Sequence, residues 1–465
     1  MKRLKLLVCA TILFVVAGVA GAQAAQKFTI GFQPYDTISY QAIVNMEKGL
    51  WKQYVPKGVE IVFEPALQGT IIANNMLADK AVAGYMSVMP ATILASKVKE
   101  AEFKMVASLG MSEGTRCSVV MVRKDAPEFK STEELARWMD GKIIAAPKGS
   151  ASDQFMLAFF AKWNVKPKEY LNQSIEVIPA QFRAGNLDAA ALWEPTMSRI
   201  ADDVGEGLVR LVADGRTADN PDLGILIMRR DFIEKHPEVA KGYLRSELEA
   251  QRFLVDPKNQ EEVIKMVAKH AKDIPLSVLW YSIYGHVPSN SENRVREWKN
   301  FYFGDRELAN IKAVAPFLHS EKRIDIAELP DWVVDDSIAR EVFKEAGHAP
   351  VLPDAALGNI IGGLPADVPA AFKGKQVTPV SPERGRSRRV AARPLILGSA
   401  SVCRGTSSAL LSSSVRLASY LCCPCPYGSQ APYGQGRLRL PQACFGRPGR
   451  TEEPSPIAQS CAFLV

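Results

Sequence analysis

Residues 28–51 read FTIGFQPYDTISYQAIVNMEKGLW, in which a short apolar run is followed by a segment with apolar side chains at helical spacing. The first pattern is typical of a β-strand, here Phe28–Phe32, and the second of a helix over Ser39–Lys48. The same alternation continues to about residue 230, and it predicts further strands at 59–63, 81–86, 104–109, 118–123, 142–146, 175–178, 187–193, 208–212 and 224–228. Such an alternation predicts an α/β fold with a largely parallel sheet.

The alternation falls into two units, and this division predicts two lobes. A new unit begins at Ser131-Thr132-Glu133-Glu134, which is a helix-capping sequence. The strands predicted at 118–123 and 224–228 would join the two units, and from Asp231 to about Gly347 the sequence is mainly helical. A cleft between two lobes is a favoured location for a small ligand.

The N-terminus has the three parts of a secretory signal peptide. It opens with the basic sequence MKRLK, continues with an apolar run from Leu6 to Ala20, and then reads GAQAA, which contains an Ala-x-Ala site. The run is shorter than the roughly 20 residues that span a bilayer. We therefore expect cleavage after Ala24, rather than an uncleaved anchor, and a periplasmic mature protein.

Charge and cysteine are unevenly distributed along the 465 residues. The formal net charge is +7, but residues 380–465 carry +8 and Lys2, Arg3 and Lys5 add three positive charges, so the remainder carries −4. A mildly acidic body gives no reason to expect nucleic acid as a partner. The body contains Cys117 alone among the eight cysteines, so we predict no disulfide framework there.

The last 86 residues differ in composition from the body. They contain 11 Arg and no Lys, and neither a period of 2 nor one of 3.6 residues persists in them. Such a composition predicts disorder, and we interpret this tail as a wrong reading frame joined to a normal body. The alternative is a metal-binding tail around Cys422-Cys423-Pro424-Cys425, but no fourth ligand lies close by.

Several segments carry a family resemblance. They are, in chain order, Phe28–Pro34 (FTIGFQP), Val122–Pro127 (VRKDAP), Gly141–Ala145 (GKIIA), Gly149–Ser152 (GSAS) and Ala184–Pro195 (AGNLDAAALWEP). In their order and spacing they resemble the nitrate/sulfonate/taurine class of ABC-importer binding proteins, which includes proteins similar to SsuA and THI5. No single motif is diagnostic, but the ordered set is fairly specific.

The resemblance implies a two-lobed periplasmic binding protein fold of type II, with a ligand cleft between the lobes and a helical C-terminal part in lobe 1. It implies the following division: signal peptide 1–24, first part of lobe 1 25–120, lobe 2 121–222, mainly helical second part of lobe 1 223–350, extended segment 351–379 and tail 380–465. The implied partners are a small polar or anionic solute, an ABC permease and its ATPase, and the protein is expected to be a monomer without cofactors.

Ligands of such folds lie beyond the carboxyl ends of the strands, which selects a set of loop residues. The residues that we expect to contact a solute are Pro34, Tyr35, Asp36, Gln68, Gly69, Ser87, Met89, Arg116, Gly149, Ser150, Ser152, Trp193 and Glu194. Gly149–Ser152 is the most informative segment, because small residues at the start of a helix leave backbone N–H groups available to an anion.

Each of these residues also has an ordinary structural interpretation. Ser150 or Ser152 could be a plain N-cap, Pro34-Tyr35-Asp36 a turn, and Trp193 part of the core. Arg116 could pair with a carboxylate or sulfonate or lie on the surface, and Glu194 could accept from a ligand amine or face solvent. Asp36 and Glu194 together with Ser150 and Ser152 would suit a zwitterion or a polar heterocycle.

The sequence leaves three other functions open. The loop Gly84–Pro90 is more apolar than in many members of this class, so the solute could be a pyrimidine precursor of thiamine or an aromatic acid. A sensor domain could have the same sequence features. A thiamine-pyrimidine synthase is similar in fold, but it uses a cysteine cluster and a catalytic histidine. The five histidines here show no metal spacing and no catalytic motif occurs, so we predict a binding protein rather than an enzyme.

Overall fold

Two β-sheets organise the residues that the computed structural model describes, which are 25–115, 117–204, 208–285, 297–347 and 358–360. The first sheet has the order β12-β11-β4-β10-β3-β1-β2 and comprises β1 (Gln26–Phe32), β2 (Val59–Pro65), β3 (Ala83–Ser87), β4 (Phe103–Ser112), β10 (Asp222–Arg229), β11 (Glu297–Lys299) and β12 (Gly358–Ile360). The second has the order β7-β6-β8-β5-β9 and comprises β5 (Ser118–Arg123), β6 (Ile143–Ala146), β7 (Glu169–Asn172), β8 (Ala189–Trp193) and β9 (Val209–Asp214).

The chain passes from the first sheet to the second and back again. It leaves after β4 and returns at β10, so one sheet is built from two separate parts of the sequence. We call the half around the first sheet lobe 1 and the half around the second lobe 2. The predicted two-lobed α/β fold is confirmed by this architecture.

The sheets are mixed, whereas the sequence predicted a largely parallel one. β1 runs parallel to β2 and β3, and β6 runs parallel to β7 and β8. β10 is antiparallel to both of its neighbours, and so is β5. Both of these strands follow a passage between the lobes, and a strand that enters a sheet in this way is not tied to the parallel direction by a βαβ crossover.

Helices flank both sheets. Lobe 1 contains α1 (Tyr40–Lys48), α2 (Gly69–Leu77), α3 (Val88–Ala95), α8 (Arg230–Lys235), α9 (Pro237–Val255), α10 (Gln260–His270), α11 (Leu276–Trp280), α12 (Asp305–Ser320) and α13 (Ser337–Glu345). Lobe 2 contains α4 (Thr132–Met139), α5 (Ala151–Trp163), α6 (Val177–Arg183) and α7 (Thr196–Val204). Short 3₁₀ turns lie at Thr37–Ser39, Leu50–Gln53, Gly215–Ala218, Pro257–Asn259 and Asp331–Val333, and a π-helical turn at Tyr281–Gly285.

Each sheet has an apolar cluster on both faces. In lobe 1 one cluster unites α1 with α9, α10 and α11, and the other unites α2, α3 and α12. In lobe 2 one cluster lies under α4 and α5 and the other under α6 and α7. The C-terminal helices thus complete lobe 1, which fits the mainly helical pattern after Asp231.

One predicted strand is wrong. The run Ile175–Ile178 was expected to be extended, but Val177 begins α6 and the strand next to β6 is Glu169–Asn172. Ile175 and Ile178 are buried in the cluster beneath α6. A short apolar run does not distinguish a buried strand from a buried turn of helix, and the polar edge strand β7 gave no apolar pattern of its own.

The two passages between the lobes run side by side. Gly114, in the first passage, has φ +90°, and a methyl group on its Cα would lie 2.5 Å from the carbonyl oxygen of Asn220 in the second. Gly114 therefore permits both a left-handed backbone and a close approach of the two passages between the lobes.

The ends of the chain lie outside the described residues. The predicted signal peptide and the predicted tail both fall there, so they remain predictions. Among the described helices, none combines the length and the apolar character needed to cross a membrane.

Candidate functional site

The loops selected from the sequence lie at the boundary between the lobes. In lobe 1 they follow the carboxyl ends of β1, β2 and β3, and in lobe 2 they follow β6 and β8. Strand ends that face one another across two lobes form the crevice in which α/β proteins bind ligands.

Tyr35 contacts lobe 2 directly. Its carbonyl oxygen accepts hydrogen bonds from Nε1 of Trp193 at 3.0 Å and from Oγ1 of Thr196 at 2.9 Å. The neighbouring Asp36 forms a backbone bridge with Pro195, and the Arg199 guanidinium lies 5.8 Å from the centre of the Tyr35 ring. The loops after β1 and β8 are thus joined across the boundary.

Helix α2 begins beside helix α3. Gly69 is buried, and a methyl group on its Cα would lie 3.0 Å from Met86 Cβ and from Pro90 Cγ. Gln68 precedes the helix in an extended conformation, and its side chain makes no capping hydrogen bond. The absence of a side chain at Gly69 allows the two helix starts to approach each other.

Helix α5 of lobe 2 begins against these two helices. A methyl group on Gly149 would lie 2.8 Å from Thr70 Cγ2 in α2 and 3.9 Å from Ile93 Cδ1 in α3. Gly149 also has φ +81°. The first N–H groups of any helix lack intrahelical acceptors, so three partially positive helix ends meet here.

The start of α5 is closed by reciprocal capping. Ser150 Oγ accepts from the Asp153 N–H at 3.3 Å, while Asp153 Oδ2 accepts from the Gly149 N–H at 2.8 Å. The N-cap interpretation of Ser150 is therefore correct, and the Gly149 N–H is already used. Ser152 is fully buried, and its Oγ lies 3.4 Å from Ser118 Oγ.

Ser87 is a buried residue at the start of α3. It is 6% exposed, and its hydroxyl caps no helical N–H and forms no hydrogen bond within the part of the chain that the structure describes. The hydroxyl could therefore bond to a ligand without losing an existing partner. Because Met86 and Pro90 on either side of Ser87 contact Gly69, this hydroxyl lies near the point where the helix starts meet.

The two predicted carboxylates have structural partners. Asp36 Oδ1 accepts from the Ile38 N–H at 3.1 Å, so the predicted turn is present. Glu194 is 1% exposed, and its carboxylate accepts from the N–H and the Oγ of Ser198 at 3.1 and 2.9 Å in the first turn of α7. Glu194 therefore does not face solvent, and any ligand amine near it would share a carboxylate that already stabilises a helix start.

The remaining predicted residues differ in their positions. Trp193 is 3% exposed and belongs to the apolar cluster of lobe 2. Pro34 is buried in the loop that follows β1. The Met89 side chain is fully buried in the core of lobe 1, so a contact from Met89 to a solute would have to use its main chain. Arg116 lies outside the described residues.

Several residues at the boundary were missed by the sequence analysis. They are Leu67, which packs against the cluster of lobe 2, Asp153, Thr196 and Arg323. Asp153 and Thr196 carried a signal, because they follow Ser150 and Pro195 at helix-start positions. Arg323 carried none, since it lies 170 residues from its partner Asp153.

Comparison with known proteins places the chain in a family. A family model described as NMT1-like matches residues 21–268, a little over half of the chain. The chain belongs to the NMT1-like family.

The chain is similar to curated proteins that bind taurine or nitrate and nitrite. It is 28% identical to the taurine-binding periplasmic protein of Escherichia coli (strain K12) over 218 residues, which cover 44% of this chain and 64% of that protein. It is 25% identical to the nitrate/nitrite binding protein NrtA of Synechocystis sp. over 244 residues, 49% of this chain and 53% of that protein. The chain therefore spans less than two thirds of each of these relatives.

A solved structure supports the fold. The periplasmic nitrate-binding protein NrtA from Synechocystis PCC 6803 superposes with a TM-score of 0.56 at 15% identity, covering 71% of this chain and 92% of that one. At this identity the likeness establishes that the family member has the two-lobed binding-protein fold, and no more.

Proposed function

We propose that this protein is the extracytoplasmic solute-binding component of an ABC importer, and that it captures a small polar or anionic solute, with its anionic group held between the lobes. One observation carries the proposal: the starts of α2, α3 and α5 meet at the lobe boundary near the Ser87 hydroxyl, which has no hydrogen-bond partner among the described residues. Helix starts favour anions by about 0.3–1 kcal/mol each, and by up to about 2 kcal/mol when partly buried.

This geometry and the solutes bound by the relatives support a choice of solute class. Micromolar binding requires about 8 kcal/mol, so several contacts and desolvation must act together. A sulfonate or nitrate group would accept hydrogen bonds from the backbone N–H groups at the helix starts, including those near Ser152, and from the Ser87 hydroxyl. The amino group of taurine would then be directed towards Asp36 and Glu194. Taurine is our first candidate, followed by alkanesulfonates and nitrate.

The cellular role is part of the same proposal. The N-terminal pattern supports export by a signal peptide cleaved after Ala24, and a periplasmic monomer would deliver its solute to a permease and ATPase. Catalysis is not proposed. Cys117, the single cysteine among the described residues, is buried with its Sγ 3.0 Å from Ser112 Oγ in the passage between the lobes.

Isothermal titration calorimetry of the purified chain tests the proposal. We expect taurine, ethanesulfonate or nitrate to bind, and a neutral pyrimidine to bind more weakly. A thermal-shift assay should agree, because a ligand at 100 times its dissociation constant adds about 2.7 kcal/mol of stability. Binding of none of the anions, or conversion of a bound compound into product, would contradict the proposal.

A further inference from the structure

An ion pair joins the two lobes at the start of α5. Nη2 of Arg323, just beyond α12 in lobe 1, lies 3.3 Å from Oδ2 of Asp153 and 3.5 Å from its Oδ1. Asp153 has no exposed side-chain surface, whereas the Arg323 side chain is 28% exposed. The two residues belong to different lobes, so their contact depends on how the lobes are arranged.

Asp153 has a second role in its own lobe. Its Oδ2 accepts from the Gly149 N–H at 2.8 Å, and its Oδ1 accepts from the Tyr170 hydroxyl at 2.7 Å. Burial, followed by the charge of Asp153, raises the pKa of Tyr170 well above its usual value, which keeps the phenol a donor. Asp153 thus fixes the Gly149–Ser152 loop in the conformation that faces α2.

The Asp153 carboxylate conflicts with an anion at the same helix start. A buried negative charge one turn from a bound anion repels it, because charges interact strongly where water is excluded. Lys148 is a nearby cation, but it lies over the Tyr170 ring at 5.0 Å and belongs to lobe 2 itself. Its charge is therefore present whether the lobes are together or apart. The charge of Arg323, by contrast, lies beside Asp153 only when lobe 1 is in contact with lobe 2.

We propose that Arg323 is a positioning residue that neutralises Asp153 when the lobes close, so that the start of α5 accepts an anion in the closed form. This inference rests on the proposed function, because it needs an anionic solute in the cleft. It makes lobe closure and anion binding mutually dependent: the solute favours the arrangement in which Arg323 reaches Asp153, and that arrangement favours the solute.

The experiment compares four full-length proteins: wild type, R323Q, R323Q/D153N and R252Q. Asparagine at 153 carries no charge; its Oδ1 can still accept from the Gly149 N–H, while its Nδ2 would face the Tyr170 hydroxyl oxygen and donate to it. R252Q is the control, because it removes the same charge from an exposed pair on α9, where Arg252 lies 3.2 Å from Glu249. Dissociation constants for taurine and ethanesulfonate are measured by calorimetry, and amide exchange of the segment 147–155 is measured with and without saturating taurine.

We expect R323Q to weaken binding roughly tenfold or more, since it leaves a buried charge without its cation. The R323Q/D153N protein should recover to within about threefold of wild type, and R252Q should match wild type. Taurine should slow the exchange of the segment 147–155 in wild type and in R252Q, and should slow it less in R323Q.

Two results would overturn the inference. One is an R323Q protein that equals wild type in both affinity and amide exchange. The other is an R323Q/D153N protein that stays as weak as R323Q, which would make Arg323 a mechanical contact rather than a charge partner. If wild type binds no solute, the proposed function fails and this inference fails with it. If wild type binds taurine and R323Q leaves both the affinity and the exchange unchanged, only this inference fails.

Discussion

At the scale of single residues, a substitution at Ser87 should change the affinity for the solute without lowering the stability of the fold. Its hydroxyl makes no hydrogen bond within the described part of the chain, so S87A should leave the free energy of unfolding unchanged or slightly raised. A hydrogen bond to a charged group contributes about 1.5–3 kcal/mol, so the affinity for taurine should fall about tenfold or more. Calorimetry and thermal unfolding of the same protein measure both effects.

Ser131 provides the matched control for this prediction. Its Oγ caps α4 by accepting from the Glu134 N–H at 3.3 Å, in a helix away from the cleft. S131A should lose about 1 kcal/mol of stability and keep its affinity. If S87A destabilises the protein and binds normally, the hydroxyl belongs to the fold rather than to the site.

Glu247 gives a pH prediction at the same scale. It is fully buried in lobe 1, where it accepts hydrogen bonds from the Tyr85 hydroxyl and from Gln251 Nε2. Burial raises the pKa of Glu247 to about 7, above its usual 4.5. The folded protein therefore holds a proton that the unfolded chain releases, and stability present below about pH 4.5 is lost as the pH rises to about 7.

The variant E247Q mimics the protonated acid and should remove this loss. Relative to wild type, it should gain up to about 3 kcal/mol between pH 4.5 and pH 7.5, as measured by urea unfolding across that range. E249Q is the control, because Glu249 lies near the surface of the same helix, paired with Arg252. A difference between E247Q and wild type that does not change with pH would contradict the assignment.

At the scale of elements, the approach of α5 to α2 depends on Gly149. Alanine there would need φ +81° and would place its methyl group 2.8 Å from Thr70 Cγ2. G149A should therefore weaken taurine binding by about tenfold or more and cost about 1 kcal/mol of stability from backbone strain. The T70A/G149A protein removes the obstructing methyl group and should regain part of the affinity but none of the stability.

This pair of variants distinguishes two causes. Recovery of affinity without recovery of stability would show that the contact with Thr70 controls the approach of the helices. Equal affinity of G149A and wild type would show that the two helices do not need to approach to bind a solute. Calorimetry at one temperature and thermal unfolding together provide the comparison.

The elements also show what sequence periodicity can determine. The alternation predicted β1, β2, β4 and β10 to within three residues at each end, and the Ser131 sequence predicted the capped start of α4, because each has a clear local pattern. It failed at Ile175–Ile178, where a few apolar residues belong to a helix start. It also could not give the antiparallel direction of β5 and β10, which depends on where the chain re-enters each sheet.

At the scale of the whole molecule, strand ends could be predicted but the contacts across the lobes could not. Loops after parallel strands lie at one edge of a sheet, and β1, β2 and β3 in lobe 1 and β6 and β8 in lobe 2 are parallel. Tyr35, Gln68, Ser87 and Trp193 therefore reach the lobe boundary by topology. The pairing of Asp153 with Arg323 depends on the position of one whole lobe against the other. No local pattern encodes such a distance, and a lone arginine after a helix has no distinctive spacing.

The same dependence predicts how the whole molecule responds to its solute. Because Tyr35, Thr70 and Arg323 of lobe 1 all contact lobe 2, a solute held at the helix starts must favour the arrangement in which the lobes touch. Saturating taurine should therefore decrease the radius of gyration of the wild-type chain in small-angle X-ray scattering. The comparison is made within one chain, so the segments outside the two lobes contribute to both measurements.

G149A should show no decrease at the same taurine concentration, since its extra methyl group holds α5 away from α2. A wild-type radius that stays constant while calorimetry reports binding would mean that the solute enters lobes that are already closed.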